Sequence, residues 1–327
     1  MDRDYSVLLI APGGGSVRDI TQLIRDITWQ GNISKVPREW GATLALDKRD
    51  PANLPDLDEG CQITMQVDGK PIYTGVLHSV TTDSQSVLGD ITSMDRGWYL
   101  AQNEGWYRFD GTPAEQIAAT VCGDFGIPVG KLAATGAKVK RKFPGVTLLQ
   151  IIGTAYTMAG ADNGKRYLMR FSGDGALDVI EKPATASLEI RATQAVTITW
   201  DISKLQNAVK IVTDTGAEVA VVSDAESVKR NGTLQHIIQQ SSGQDSQAEA
   251  EAWIKDHGLQ QTLTVEVPGD IRLITGEAVL LRDTGSGVSG LFWIDSDTHT
   301  WKNGLHRTKL KLNFQNIVNE MSAGSEG

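Results

Sequence analysis

Short segments in which hydrophobic and polar residues alternate dominate this chain. They are rich in Val, Ile, Thr and Trp, which is typical of strands that bury one face and expose the other. The pattern predicts strands at residues 42–46, 62–67, 72–77, 87–94, 167–171, 177–181, 196–200, 209–212, 218–222, 262–267, 278–282, 291–295 and 308–314. Asp68-Gly69, between two of these segments, is a strong signal for a tight hairpin turn.

Three segments have the spacing and the start signals of helices. Each begins with a predicted capping box, in which a Thr or Ser is followed three residues later by Glu or Gln. The boxes begin at Thr112, Thr147 and Ser246, and the apolar stripes behind them extend to about residues 125, 159 and 257. The basic run at residues 138–142 lies between the first two helices. We predict that it is a solvated loop, with contact to phosphate or to an acidic partner as the alternative.

These elements predict a mainly β protein with an α+β middle region. A first β-barrel domain is expected at residues 1–95, a middle α/β domain at 96–190, and a second β-barrel domain at 191–327 with a helix near 246–257. The two β parts are weakly alike, because Gly60 and Gly276 each precede a strand, a turn and a further glycine, 15 and 14 residues on. Coincidence between hairpins explains this likeness as well as a duplicated barrel does. Duplication would let three chains present six similar barrels in a ring.

Composition narrows the class of protein. The 327 residues include 40% hydrophobic residues and carry a net charge of −9, which describes an ordinary folded protein and disfavours wrapping around nucleic acid. No apolar run approaches the roughly 20 residues of a membrane span, and the first residues lack a signal-peptide core. Cys61 and Cys122 are expected to be buried, reduced thiols in a protein made in the cytoplasm. The last residues, 321–327, are expected to fray.

The sequence contains no motif that assigns a catalytic, cofactor-binding or metal-ligating residue. Asp295, Asp297 and His299 could share one strand face, but a wet strand edge running into a turn is favoured over a metal site. The glycines at residues 13–15 lack the spacing of a phosphate loop and are expected to form a flexible entry loop. The five histidines are scattered. The eight tryptophans are candidates for the core or for a subunit interface.

Several short motifs, in their order and spacing, resemble a family of tail hub proteins. This family occurs in contractile-tailed phages, defective prophages and phage-tail-like bacteriocins. The resemblance covers about residues 19–314 and rests on these segments: 27–32 with Arg38 and 44–46, 57–63 with 73–76, Asp95 with 98–100, 112–118, 148–152, 202–209 and 248–253. Asn32 and Trp40 depart from the pattern, where an acidic residue and a smaller aliphatic residue are more usual.

The resemblance implies a structural role without a catalytic site or a cofactor. It implies a homotrimer in which two tube-type β domains from each subunit form a pseudo-sixfold ring. Such a ring joins the sixfold tail tube to the trimeric spike, and it surrounds the channel of the tape measure protein and of passing DNA. The expected location is the tail baseplate of a particle assembled in the host cytoplasm, with no stable membrane association. The resemblance names no interface residues.

Two other functions remain as alternatives. A tail-associated peptidoglycan hydrolase would hold its catalytic groups in the middle region. A carbohydrate-binding protein would use exposed tryptophans on a β surface.

Overall fold

The computed structural model describes residues 5–47, 49–50, 53–191, 196–240, 246–283 and 285–325. Strands contain 49% of the described residues and helices 19%, which confirms the mainly β fold with an α+β middle region. Contacts along the chain separate two units. The larger comprises Met1–Val196 and Thr264–Gly327, and the smaller comprises Thr197–Leu263. The division into three domains at residues 95 and 190 stays a prediction.

The strands and helices follow one another in a simple order along the chain. The first part of the larger unit contains β1 (Tyr5–Ile10), β2 (Val17–Asp19), β3 (Ile24–Asn32), β4 (Lys35–Ala45), β5 (Gln62–Val67), β6 (Lys70–Thr82) and β7 (Leu88–Asp95). The middle part contains α1 (Gly97–Gln102), β8 (Glu104–Pro113), α2 (Ala114–Asp124), β9 (Val129–Leu132), β10 (Lys138–Thr147), α3 (Leu148–Asn163), β11 (Tyr167–Phe171), β12 (Leu177–Glu181) and β13 (Leu188–Arg191).

The smaller unit contains four strands and two helices. Its elements are β14 (Thr197–Asp201), β15 (Ala208–Val212), β16 (Glu218–Ser223), α4 (Ala225–Asn231), β17 (Gln235–Gln239) and α5 (Ser246–Asp256). β15 pairs with β16 antiparallel and with β17 parallel. Val209, Ile211, Ile238 and Ala250 form the buried core between this sheet and α5. The predicted helix near residues 246–257 is confirmed.

The chain returns to the larger unit through β18 (Gln260–Pro268), which begins in the smaller unit. β19 (Ala278–Arg282), β20 (Ser289–Lys302) and β21 (Leu305–Asn313) follow. In the larger unit the strands lie in the order β18-β21-β20-β3-β4-β7-β6-β5-β1-β2, and β19 pairs with β20 and with β13. Strands from the beginning and from the end of the chain therefore share one sheet.

The two β parts share a strand order. β5, β6 and β7 form an antiparallel meander, and so do β19, β20 and β21. The middle strand is long in both, with 13 residues in β6 and 14 in β20. The glycine ahead of each meander has a left-handed backbone, with φ of 86° at Gly60 and 93° at Gly276. The weak likeness in sequence therefore coincides with a likeness in structure.

The middle part has a core of its own within the larger unit. β8 and β10 form a two-stranded antiparallel ribbon, and β11, β12 and β9 form a small sheet. α2 and α3 pack against these strands through the buried residues Ile117, Val121, Phe143, Ile151 and Val179, among others. The basic run predicted as a loop lies in β10, so that prediction is wrong. Val139 and Phe143 are buried and hold the run in a strand.

Helix starts were predicted with mixed success. The capping box at Thr147 is confirmed, because its side chain accepts from the Gln150 amide and the Gln150 side chain accepts from the Thr147 amide. The box at Thr112 is wrong: Thr112 lies in β8, and Glu115 instead accepts from Thr135. The box at Ser246 is also wrong: Ser246 is the first residue of α5, and its buried Oγ has no hydrogen-bond partner among the described residues. α1 and α4 had not been predicted.

The end of the chain crosses the middle part instead of fraying up to residue 325. The Ala323 amide donates to Thr154 Oγ1 at 3.0 Å, and the Met321 amide donates to Thr157 Oγ1 at 3.1 Å. Arg141 donates to the carbonyl of Ala323. We call residues 315–325 the C-terminal strap. Residues 326–327 lie outside the described residues.

Among the described residues, no helix combines the length and the apolar character that a membrane crossing requires.

Candidate assembly site

The first and last β parts meet where β3 pairs with β20. Seven residue pairs, from Asn32 opposite Ser296 to Asp26 opposite Lys302, form an antiparallel ladder. We call this ladder the β3–β20 seam. Trp29 and Trp301 on its strands are buried, so apolar burial and main-chain hydrogen bonds together join the two parts of the chain.

A buried ion pair lies beside the seam. Arg38 on β4 and Asp297 on β20 are 8% and 1% exposed. Arg38 Nη1 donates to Asp297 Oδ1 at 2.9 Å, and Nη2 pairs with Oδ2. The guanidinium also stacks over the Trp29 ring, 4.2 Å from its centroid. A bidentate pair of this kind fixes the position of both strands.

Asp297 has enough partners to stay ionised in the interior. Both the amide and the hydroxyl of Thr275 donate to its Oδ1 at 2.6 Å. Burial alone would raise the pKa of Asp297, but the nearby Arg38 charge and the hydrogen bonds from His299 and Arg38 hold that pKa well below its usual range. The carboxylate is therefore a structural anion.

Asp95, the last residue of β7, is hydrogen-bonded to Arg38. Its carboxylate accepts from the Arg38 amide at 3.0 Å and from the Gly97 amide at 2.9 Å. Burial raises the pKa of Asp95 to about 7, although these two hydrogen bonds oppose the shift. Arg38 thus contacts one acid through its backbone and another through its side chain.

Further polar side chains on β20 and β21 contact Asp297 and one another. His299 is fully buried, with Nε2 3.4 Å from Asp297 Oδ2. Its Nδ1 lies 3.2 Å from His306 Nε2 and 3.1 Å from Thr308 Oγ1. Burial and the neighbouring His299 lower the pKa of His306 to about 4. These contacts satisfy polar groups inside a sheet.

Two glycines named in the resemblance are required by close approach. A Cβ at Gly31 would overlap Arg38 Nη1 and contact Asp297 Oδ1. A Cβ at Gly75 would overlap the Tyr73 hydroxyl and lie 2.5 Å from the Met94 carbonyl oxygen. Both positions therefore exclude any larger side chain unless neighbouring groups move.

The interpretation of residues 295–299 as a wet strand edge is wrong. β20 has β21 on one side and β3 on the other, so Asp297 and His299 lie in the interior of the sheet. Asp295 lies at a register shift and accepts from Asn313 at 2.8 Å. Within the described ranges, no three His, Cys, Asp or Glu side chains are grouped so as to hold a metal ion.

The remaining candidates have ordinary environments. Gly13 and Gly14 lie in the turn between β1 and β2. Cys61 and Cys122 are buried and free, as predicted. The tryptophans divide into a buried set, Trp29, Trp40 and Trp301, a half-buried set, Trp98, Trp253 and Trp293, and an exposed set, Trp106 and Trp200.

Sequence reasoning missed the histidine contacts. His299 and His306 are seven residues apart and meet across the β20–β21 hairpin. Asn303-Gly304, with φ of 53° and 75°, forms its turn, and this dipeptide could have predicted the pairing. In the smaller unit, His236 and His257 both stack against Trp253, with ring centroids 3.8 and 4.0 Å away.

The chain matches the model of a known protein family. The model of the family described as YQBQ-like matches residues 27–313, from the β3–β20 seam to the end of β21. The chain belongs to the YQBQ-like family. The match includes Gly31, Arg38, Asp95 and Asp297, so the whole buried network lies within the family region.

Individual relatives agree with this assignment. The chain is 23% identical to the phage-like element PBSX protein XkdQ of Bacillus subtilis (strain 168) over 308 residues, covering 90% of this chain and 93% of XkdQ. The tail protein from Neisseria meningitidis MC58 has a TM-score of 0.71 at 16% identity, with 96% and 98% of the two chains covered. The 43 kDa tail protein of prophage MuSo2 from Shewanella oneidensis has a TM-score of 0.70 at 15% identity, with 94% and 98% covered. This chain thus has the fold of these tail proteins.

Proposed function

We propose that this YQBQ-like chain is a structural hub subunit of a phage or phage-like tail baseplate. Three copies form a pseudo-sixfold ring that joins the sixfold tail tube to the trimeric spike and surrounds the central channel. Residues 1–95 and 191–327 supply the two tube-type β domains, and residues 96–190 form the middle domain. The repeated β meander is the observation that carries this proposal.

The β3–β20 seam supports a scaffold role. A ring that adapts threefold to sixfold symmetry needs two similar surfaces in each subunit, held in a constant relation. The seam joins the two meanders in one sheet, and the Arg38–Asp297 pair links β4 to β20 across β3. This arrangement suits a rigid structural subunit better than an enzyme whose two domains move.

The names of the relatives support the location and the partners. XkdQ is a protein of a phage-like element, and both solved structures are tail proteins. We propose that the chain is made in the host cytoplasm, assembles into the particle, and contacts the tail tube, spike and tape measure proteins. DNA is only passing cargo.

We also propose that the chain has no catalytic activity. The most strongly perturbed carboxyls, Asp95 and Asp297, are buried and accept hydrogen bonds from backbone amides and from Arg38. A general acid or base must reach its substrate, and these groups face the protein interior. Zymography on bacterial cell walls tests this proposal, and clearing by the purified chain would overturn it.

Particle assembly tests the structural role. Deleting the gene in a producing cell should abolish complete tails in electron micrographs, and supplying the chain from a plasmid should restore them. Complete tails that lack the chain would refute the proposed function.

A further inference from the structure

The β8–β10 ribbon presents a basic face outside the β3–β20 seam, and the strap pairs with the edge of the ribbon at the Lys142 backbone. Arg108, Lys138 and Lys140 are exposed along it, and Lys142 is half-buried. Trp106 is 63% exposed on the same face, with Lys142 Nζ 5.5 Å from its ring centroid. Large exposed tryptophans beside cations are typical of protein interfaces.

The opposite face of the ribbon holds it firmly on the middle core. Tyr107 and Phe109 stack at 5.6 Å, and Phe109 meets Phe143 edge to face at 6.3 Å. Val139 and Phe143 are buried, and the Tyr107 hydroxyl donates to Asp124 at 2.7 Å. The basic side chains therefore project from a fixed surface, which lowers the entropy lost when a partner binds.

The charge of the ribbon is opposite to that of the rest of the protein. β8 and β10 together contain five basic and two acidic residues, a net charge of +3, while the whole chain carries −9. The residues outside these strands therefore carry −12. Within the described part of the chain, Asp110, 3.8 Å from Lys140, is the acid paired with this face.

Charge complementarity therefore favours another copy of the same chain as the partner. A symmetric contact of ribbon with ribbon would place like charges opposite each other and repel. A contact between the ribbon and an acidic surface is attractive, and it joins two different patches of identical subunits. Contacts of that heterologous kind generate rings when the rotation closes.

We infer that the exposed face of the β8–β10 ribbon binds an acidic surface of the next copy of this chain, head to tail. This inference rests on the proposed ring and names one of its subunit contacts. The ribbon supplies attraction through its lysines and Arg108, and Trp106 supplies apolar contact area. Arg141 takes no part, because it donates to the Ala323 and Gly324 carbonyls of its own chain.

Light scattering and sedimentation of the purified full chain test the contact. We compare wild type, K138E/K140E/K142E and W106A with the control K204E/K229E/R230E, which changes the net charge equally on the exposed surface of the smaller unit. Wild type should reach three times the 35.3 kDa chain mass. The ribbon triple variant should associate about tenfold or more weakly, W106A more weakly than wild type, and the control like wild type. Raising the salt concentration from about 50 to about 500 mM should weaken the self-association of the wild-type chain.

Mixing separates a head-to-tail contact from a symmetric one. A ribbon variant keeps its acidic surface, so it should form mixed dimers with wild type although it associates with itself about tenfold or more weakly. Circular dichroism checks that each variant is folded. A monomeric wild type, an unchanged ribbon variant, or equal loss in the control would overturn the inference. The inference would also be overturned if labelled single-stranded DNA bound through the ribbon while the ribbon variants self-associated like wild type. None of these results bears on whether tails require the chain, so the particle experiment remains an independent test.

Discussion

Arg38 and Asp297 are separated by 259 residues and form a buried, bidentate ion pair beside the β3–β20 seam. The pair connects strands from the two ends of the chain. Since the Arg38 backbone amide also donates to Asp95, three strands meet at this one residue. Stability of the sheet should therefore be concentrated at this position.

Removing one partner of the pair should destabilise the protein strongly. Arg38→Met leaves Asp297 buried without its main counter-charge and should lower the free energy of unfolding by about 3–5 kcal/mol in urea titrations. Replacing both partners, as in R38M/D297L, should cost less than R38M alone. The exposed pair Lys165–Glu181 provides the control, and Lys165→Met should leave unfolding unchanged. Equal effects of R38M and K165M would contradict this view of the seam.

Glycine 31 should not tolerate a methyl group. Gly31→Ala would force Arg38 away from Asp297, and we expect a loss of about 1–3 kcal/mol. Gly123 in α2 is a matched control, because a Cβ there meets nothing within 4 Å. Gly123→Ala should be neutral or stabilise by up to about 1 kcal/mol. Thermal unfolding of both variants measures these changes in stability. A G31A protein as stable as wild type would show that Arg38 can move aside without cost.

Asp95 should make stability fall as the pH rises from about 4 to about 7. Its pKa is about 7 when folded, against an ordinary value of 3.8, so the folded state keeps a proton that the unfolded chain has lost. This contribution is fully present below pH 3.8 and is lost as the pH rises through 7. It amounts to up to about 4 kcal/mol at 1.36 kcal/mol per pH unit.

Comparison with Asp95→Asn isolates that effect. The His306 pKa, lowered to about 4, acts in the opposite direction, because its contribution is present above pH 6.5 and is lost as the pH falls. The difference in unfolding free energy between variant and wild type cancels the His306 contribution. Between pH 4 and 7, the free energy of unfolding of D95N should rise steadily relative to that of wild type. If the difference between the two free energies stays constant, the pKa of Asp95 is not raised.

The C-terminal strap should depend on Thr154. This side chain is 1% exposed and accepts from the Ala323 amide. Thr154→Ala leaves that amide without its acceptor and should cost about 1–2 kcal/mol. Hydrogen exchange at residues 321–325 should become faster. Thr120→Ala, which removes only a hydroxyl bonded within its own helix at Gln116, should leave the exchange unchanged. Slow exchange in T154A would mean that the other contacts of the strap, among them those to Thr157 and Arg141, hold it without Thr154.

Local patterns predicted most strands, because each signal lies within a few residues. β11, β12 and β19 begin and end at the predicted residues, and Asp68-Gly69 forms its hairpin turn with positive φ at both positions. The missed helix α4 also had a local signal, since Asp224 accepts from the Ser227 amide and Gly232 follows the last turn. Its short length hid the apolar periodicity.

Other features depend on distant partners. The basic run looks solvated in sequence, but its strand pairs with β8, and Val139 and Phe143 pack in the middle core. Asp297 looks like a surface acid until Arg38, 259 residues away, is placed beside it. No spacing rule connects residues so far apart, so the buried network could not be predicted from the sequence.

The central claim is that three copies of this chain form one ring in a tail baseplate. Electron cryomicroscopy of particles purified from producing cells tests it most directly. The account predicts three copies around a central channel, with the meanders β5–β7 and β19–β21 alternating at six similar positions. A single copy on the axis, six copies, or meanders in unrelated environments would contradict it.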